Sequence, residues 1–206
     1  MSKRRKSKRK IKTRDLVERI LIVCEGEKTE PNYFRAFPKD ENRCYVKPMG
    51  VGCVTKSLVK RAIEIRKISS PPFNKVWCVF DKDDCPDRDF NDAIQMAKSN
   101  NMDVAYSNEA FELWYLLHFS RYYSAMTRDQ YQEKLGELLG HKYEKNSEKM
   151  YDELRNKQDT AIRNAERLLE HYIEIDGKII PEKHNPSTTV HELVIELNKR
   201  LPITKK

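Results

Sequence analysis

Short apolar runs alternate with amphipathic stretches over the first half of the chain. Arg19–Cys24 (RILIVC) carries four aliphatic residues in a row within a segment of strand length, the pattern of a strand buried on both faces. Thr29–Phe37 suits a short helix, with Thr29 as N-cap and Pro31 in the first turn. Cys44–Met49 is a weaker strand. Thr55–Ile68 puts Leu58, Ala62 and Ile65 on one helical face and Lys60, Arg61, Glu64 and Arg66 around the rest, and Pro71-Pro72 ends it. Val76–Phe80 (VWCVF) is a second buried strand closing on Asp81, followed by a helix over 87–99 and a strand at Asp103–Ser107. This alternation of strand and helix predicts a mostly parallel sheet with helices on both faces.

Beyond Ser107 the period is helical. Glu109–Phe119 (EAFELWYLLHF) is too apolar for a surface helix and is expected in the core, with Phe111 and Trp114, like Trp77 of the second strand, as core aromatics. A helix over 127–139 and a polar loop at Lys142–Lys149 (KYEKNSEK) follow. Lys157–Tyr172 is amphipathic, with Ile162, Ala165, Leu168, Leu169 and Tyr172 on one side. Asn185-Pro186-Ser187-Thr188 reads most simply as a turn and cap, before a helix at Thr189–Leu201 whose Thr189 and Glu192 stand at capping-box spacing. The expected organisation is a basic tail at 1–14, an α/β core over 15–107, and a helical part over 108–206 that completes the core or packs beside it.

Charge is distributed unevenly. Residues 1–14 hold nine Lys/Arg and no acid, leaving 31 bases against 32 acids in the rest of a chain whose net charge is +8. Such a segment repels itself and buries little, so it is expected to be disordered alone. Lys3, Arg4, Arg5, Lys6, Lys8, Arg9 and Lys10 are candidate contacts to a phosphate backbone, each releasing counterions; a solubilising basic end is the alternative. No apolar segment follows the charges as in a signal peptide, and no run approaches the ~18 apolar residues of a membrane span, so a cytoplasmic protein without membrane attachment is expected. The five cysteines show no zinc-site spacing and read as small apolar residues in a reducing compartment.

The chemistry gathers at strand ends. The first strong strand runs into Glu25-Gly26-Glu27, and the other into Asp81-Lys82-Asp83-Asp84. In open parallel sheets, sites form beyond the carboxyl ends of strands, where the strand order reverses. If these strands are neighbours, about 4.8 Å apart, their carboxylates meet in one crevice. Carboxylates so placed repel unless a cation sits among them. Hard oxygen ligands favour Mg2+ or Mn2+, which takes one or two carboxylates and leaves room for phosphate oxygens, the equipment of phosphoryl transfer. Gly26 is expected to let the backbone pass close to a ligand there.

Glu-Gly after the first strand and Asp-x-Asp after the third resemble the toprim domain, the metal-binding fold of topoisomerases, primases and several nucleases. "CEGEKTEPNYF", "VFDKDD", "NEAFELWYLLHF" and "NPSTTVHELV", in that order over most of residues 18–201, resemble the RloB-like family found in bacterial and archaeal phage-defence and restriction-linked loci. The resemblance implies a Rossmann-like toprim domain with a C-terminal helical extension. It implies a Mg2+- or Mn2+-dependent nuclease, with Glu25 as both general acid or base and metal ligand, and Asp81 and Asp83 as metal ligands. It also implies an ATPase partner protein and a nucleic-acid substrate, RNA ahead of DNA, with tRNA among the candidates. Related overcoming-lysogenisation-defect nucleases carry a second acid four residues after the first. Here Glu30 follows Glu25 by five and Glu27 by three, so either could take that role.

Further candidates have two readings each. Glu112 points into the crevice as a catalytic residue, an extra metal or water ligand, aided by the family likeness, or stays solvated at the helix rim. Lys28 holds a scissile phosphate or is helix-start polarity. Lys145 is a substrate contact or a loop cation. Asp84 is a spare ligand or a turn acid. Asn108 reads as an N-cap ahead of a site contact, and His118 as a core histidine. Two other functions compete with a nuclease: a nucleic-acid-binding or regulatory subunit of an ATPase complex, with the acidic site vestigial or metal-structural, and a nucleotide-sugar transferase, which would not need the Glu-Gly strand end.

Overall fold

The computed structural model describes residues 17–201, so the basic tail lies outside the described residues. Among these, five strands form one sheet: β1 (Glu18–Cys24), β2 (Cys44–Gly50), β3 (Lys75–Asp81), β4 (Asp103–Asn108) and β5 (Ser187–Thr188). Their order is β2-β1-β3-β4-β5, parallel except for the short β5. The chain leaves β1 for β2 on one side and returns to β3 on the other. The carboxyl ends of β1 and β3 therefore flank the point where strand order reverses.

The helices are α1 (Thr29–Arg35), α2 (Thr55–Ile68), α3 (Asp87–Ser99), α4 (Glu112–Leu117), α5 (Arg128–Leu139), α6 (Met150–Leu154), α7 (Gln158–Asp176) and α8 (Val190–Arg200). Side chains alternate along a strand, and the two central strands feed two separate cores. Leu21, Val23, Val76, Cys78 and Phe80 pack against α2 and α3. Ile20, Ile22, Cys24, Trp77 and Val79 pack against α1, α4, α7 and α8. Because both faces of the two strands are covered over Ile20–Cys24 and Val76–Phe80, those segments have no room for a polar position. That is why the first polar residues past the two runs fall together at one end of the sheet.

Four local expectations change. The helix expected from Glu109 begins at Glu112. The turn before it is committed to the β3–α3 loop: Phe111 N–H donates to Asp81 Oδ2 (3.2 Å), and the Glu109 carbonyl accepts from Asp83 N–H (3.2 Å). Thr29 does not cap α1; Lys28 is the capping residue, and Thr29 Oγ1 meets Asn146 Oδ1 at 2.9 Å. The Thr189–Glu192 capping box does not form either. Thr189 Oγ1 accepts from Tyr106 N–H (3.0 Å), so the hydroxyl serves the edge of β4. The Asn185–Thr188 turn contains β5, which pairs antiparallel with β4. A capping box does form at α5, between Thr127 and Gln130. Elsewhere α1 stops at Arg35, α7 runs on to Asp176 before Gly177 in a left-handed conformation, and α6 follows the polar loop because Met150, Tyr151 and Leu154 are buried.

Candidate active site

One extra rung beyond the β1–β3 ladder creates the site. Glu25 N–H donates to the Val79 carbonyl (2.9 Å), and Glu25 Oε2 accepts from Asp81 N–H (3.3 Å). The two strand ends thus hold Glu25 and Asp81 side by side. Two further acids arrive from helices. Glu30, on the first turn of α1, is only 5 % exposed and accepts from Gly26 N–H (3.2 Å). Glu112, on the first turn of α4, is 6 % exposed and accepts from the Tyr143 hydroxyl (3.2 Å). All four line a cavity of about 450 Å³ together with Glu27, Lys28, Asp83, Phe111, Arg128, Lys145 and Asn146.

Gly26 has a different use from the one expected. A Cβ there would run into the Glu30 carboxylate, so the missing side chain makes room for Glu30 rather than for phosphate. Gly26→Ala is expected to push Glu30 out of its buried position and to lower stability by about 1–3 kcal/mol, as for other overpacked sites. Urea unfolding measures it; an unchanged midpoint would show that Glu30 yields without loss.

The electrostatics are those of crowded, partly desolvated acids. Burial first, then the charges of Glu30 and Asp83, push the Glu25 carboxyl up to about 7, against the Asp81 N–H and Arg128. Asp81 is pushed well above the usual carboxylate range by burial and by Glu30, Glu112 and Glu25. Glu30 is raised by burial and Glu112, with Lys145 opposing. Among the described residues, six carboxylates and three cationic side chains line the cavity. Among the described residues, no three His, Cys, Asp or Glu converge as a ready-made metal cage. The donor set is nonetheless all oxygen, crowded and short of positive charge. It suits a hydrated Mg2+ or Mn2+ taking one or two carboxylates, and not a closed thiolate or imidazole site.

The structure brings Glu25, Glu27, Lys28, Glu30, Asp81, Asp83, Glu112 and Lys145 to one cavity. Glu112 is inside, so the reading of a solvated rim residue falls. Asp84 is exposed and does not line the cavity, which favours the turn-acid reading. Glu30 is buried, whereas Glu27 is exposed and lies against Gly52, whose φ is +59°. Of the two acids left open, only Glu30 is drawn inward. Lys145 is carried in because its loop is fastened to α1: Asn32 Nδ2 donates to the Asn146 carbonyl (2.9 Å), beside the Thr29 contact. Asn108 is neither a cap nor a site residue, since its Nδ2 donates to the Pro181 carbonyl (3.0 Å). His118 is a core histidine, with Nδ1 at 2.9 Å from the Trp114 carbonyl; burial pushes its pKa down to about 4.

Sequence reasoning does not single out Arg128, Asn146 or Tyr143. Arg128 Nη2 lies 2.6 Å from Asp83 Oδ2. Its one local signal is an arginine in the first turn of a helix, where a cation opposes the helix dipole. Nothing local marks Asn146, whose partners are far away in sequence.

An open α/β sheet with an acidic crevice at its switch point is the class that the fold and site define. The family model described as RloB-like protein matches residues 20–197, and the chain belongs to the RloB-like family. Searches of the curated proteins and of the solved structures gave no significant match. Among the described residues no helix is long and apolar enough to cross a membrane.

Proposed function

We propose that this protein is a metal-dependent nuclease of toprim type that hydrolyses phosphodiesters, RNA or tRNA ahead of DNA. On this reading it is a cytoplasmic effector of prokaryotic anti-phage defence controlled by an ATPase partner. The observation that carries the proposal is the meeting of Glu25 and Asp81 across adjacent parallel strands, with Glu30 and Glu112 buried beside them. The RNA substrate, the partner and the defence role rest on the family resemblance.

Asp81, with Asp83 or Glu112, would hold Mg2+ or Mn2+, which when bound supplies charge stabilisation at the phosphate and an acidified water. Glu25, with a pKa of about 7, can take up and return a proton near neutral pH, as a general acid or base must. Asp81 N–H fixes the orientation of that carboxylate. Lys28 and Lys145, both exposed at the cavity edge, would meet phosphate oxygens. The decisive experiment incubates the purified chain with RNA or DNA and Mg2+, Mn2+ or chelator, with and without a candidate ATPase partner. Metal-dependent RNA cleavage is expected. No cleavage of either polymer in any combination sinks the proposal.

A second reading has one observation behind it. Arg128 occupies Asp83, as would suit a binding or regulatory subunit whose acidic site no longer turns over. Nucleic-acid binding without metal-dependent cleavage would favour it. On either reading, deleting residues 1–12 is expected to weaken nucleic-acid binding and flatten its salt dependence. The logarithmic slope should fall by about 0.9 for each duplex phosphate the tail no longer neutralises, and nearer 0.7 for a single strand. An unchanged slope would make the tail incidental.

A further inference from the structure

Arg128 is one of three cationic side chains lining a crevice of six carboxylates among the described residues, and its surroundings set it apart from the two lysines. Its only ion pair among the described residues is with Asp83, at 2.6 Å, and its Nε is buried without a hydrogen-bond partner. Asp83 presents its carboxylate from a backbone with φ +35°. A cation in the first turn of a helix is disfavoured by the helix dipole, so α5 gains nothing from an arginine there. The start of α5 is already stabilised by Thr127 and Gln130. The helix is held by few buried side chains, Tyr131 and Leu135, and follows a largely exposed stretch over 120–127 without regular structure. Lys28 and Lys145 make no ion pair among the described residues, so Arg128 alone is spent on a carboxylate of the site.

Resting on the metal-dependent reading above, we infer that Arg128 is an internal counter-ion of the metal site, exchanged when nucleic acid binds. In the free protein it holds Asp83. A phosphodiester anion draws the guanidinium away, and Asp83 becomes free to serve a divalent cation. The exchange is chemically balanced. A guanidinium donates to carboxylate and to phosphate with the same planar set of N–H groups, so it loses no hydrogen bond in moving from one to the other. Asp83 trades a single positive charge for a double one. Metal and substrate phosphate are thereby coupled through one ion pair, and the coupling is reciprocal: each tightens the other. A protein so built binds its metal weakly while idle and assembles its site around the substrate.

The test reads metal binding, not turnover. Mn2+ affinity is measured by calorimetry on the full chain, alone and with a phosphorothioate RNA oligonucleotide, for wild type, Arg128→Gln and Arg128→Lys, each checked as folded by circular dichroism. In wild type the oligonucleotide is expected to tighten Mn2+ by about tenfold, within the usual range of coupling between sites. Arg128→Gln is expected to bind Mn2+ about tenfold tighter than wild type without RNA and to lose that response. Arg128→Lys should fall between, and an uncharged methylphosphonate oligonucleotide should leave wild-type affinity unchanged. Wild-type affinity and wild-type coupling in Arg128→Gln would overturn this inference while leaving the nuclease reading in place. No Mn2+ binding by any of the folded proteins, with or without RNA, would overturn both.

Discussion

Glu25→Gln and Asp81→Asn should each reduce metal-dependent cleavage by about 10³-fold, within the range for loss of a general acid–base group or a metal ligand. Both substitutions keep the shape of the side chain. The new amide oxygen at position 25 could still accept from the backbone N–H of residue 81, and the one at position 81 from Phe111 N–H. The ladder extension and the turn before α4 should therefore survive. The first change removes a titrating proton and the second a negative oxygen. Neither removes a packed apolar group, and each relieves repulsion among the neighbouring acids. Metal-free melting temperatures should stay level or rise while activity falls, a combination that general unfolding cannot mimic. Asp84→Asn, outside the cavity, serves as the control for a lost charge. Full activity in both site variants would place any chemistry elsewhere in the chain.

The second large effect concerns stability, pH and metal together. The Glu25 carboxyl is raised from its ordinary value near 4.5 to about 7, and Asp81 and Glu30 are also raised. Between the unfolded and folded pKa values, the native state binds more protons than the unfolded state, so stability falls as pH rises. The contribution is fully present below about pH 4.5 and lost as pH passes through about 7. Without metal, the melting temperature should drop between about pH 5 and pH 7.5. Mn2+ should reverse that drop at the higher pH and do little at the lower, because protonated carboxyls do not bind it. At about 100 times its dissociation constant a single bound ion stabilises by about 2.7 kcal/mol. For a chain of this size that corresponds to a rise of roughly 5–10 °C. Equal melting temperatures at the two pH values, with and without Mn2+, would contradict an uncompensated acidic cluster.

Both expectations start from residues that the linear pattern picks out for a local reason. Ile20–Cys24 and Val76–Phe80 are continuous apolar runs of strand length rich in β-branched and aromatic residues, which suits strands covered on both faces, so β1 and β3 and their acidic ends are readable from the chain. The α2 and α3 helices follow from spacing and from Pro71-Pro72 in the same way. Local reasoning fails where a side chain has a distant partner. Thr29 and Thr189 look like caps, yet one hydroxyl is claimed by Asn146 and the other by the edge of β4. Glu109-Ala110-Phe111 looks helical, yet its backbone is taken by Asp81 and Asp83.

The same division runs through the site. Glu25 and Asp81 can be named from the chain because each is the first acid after an apolar run of strand length, a place fixed by covalent order. Which of Glu27 and Glu30 turns inward, whether Glu112 is solvated, and what Asp83 holds are decided only by the fold. Each is an energy balance between desolvation and partners brought by other elements: Gly26 for Glu30, Tyr143 for Glu112, Arg128 for Asp83. Covalent order puts the acids at the strand ends, and packing at long range decides which of them are buried and which cation faces them.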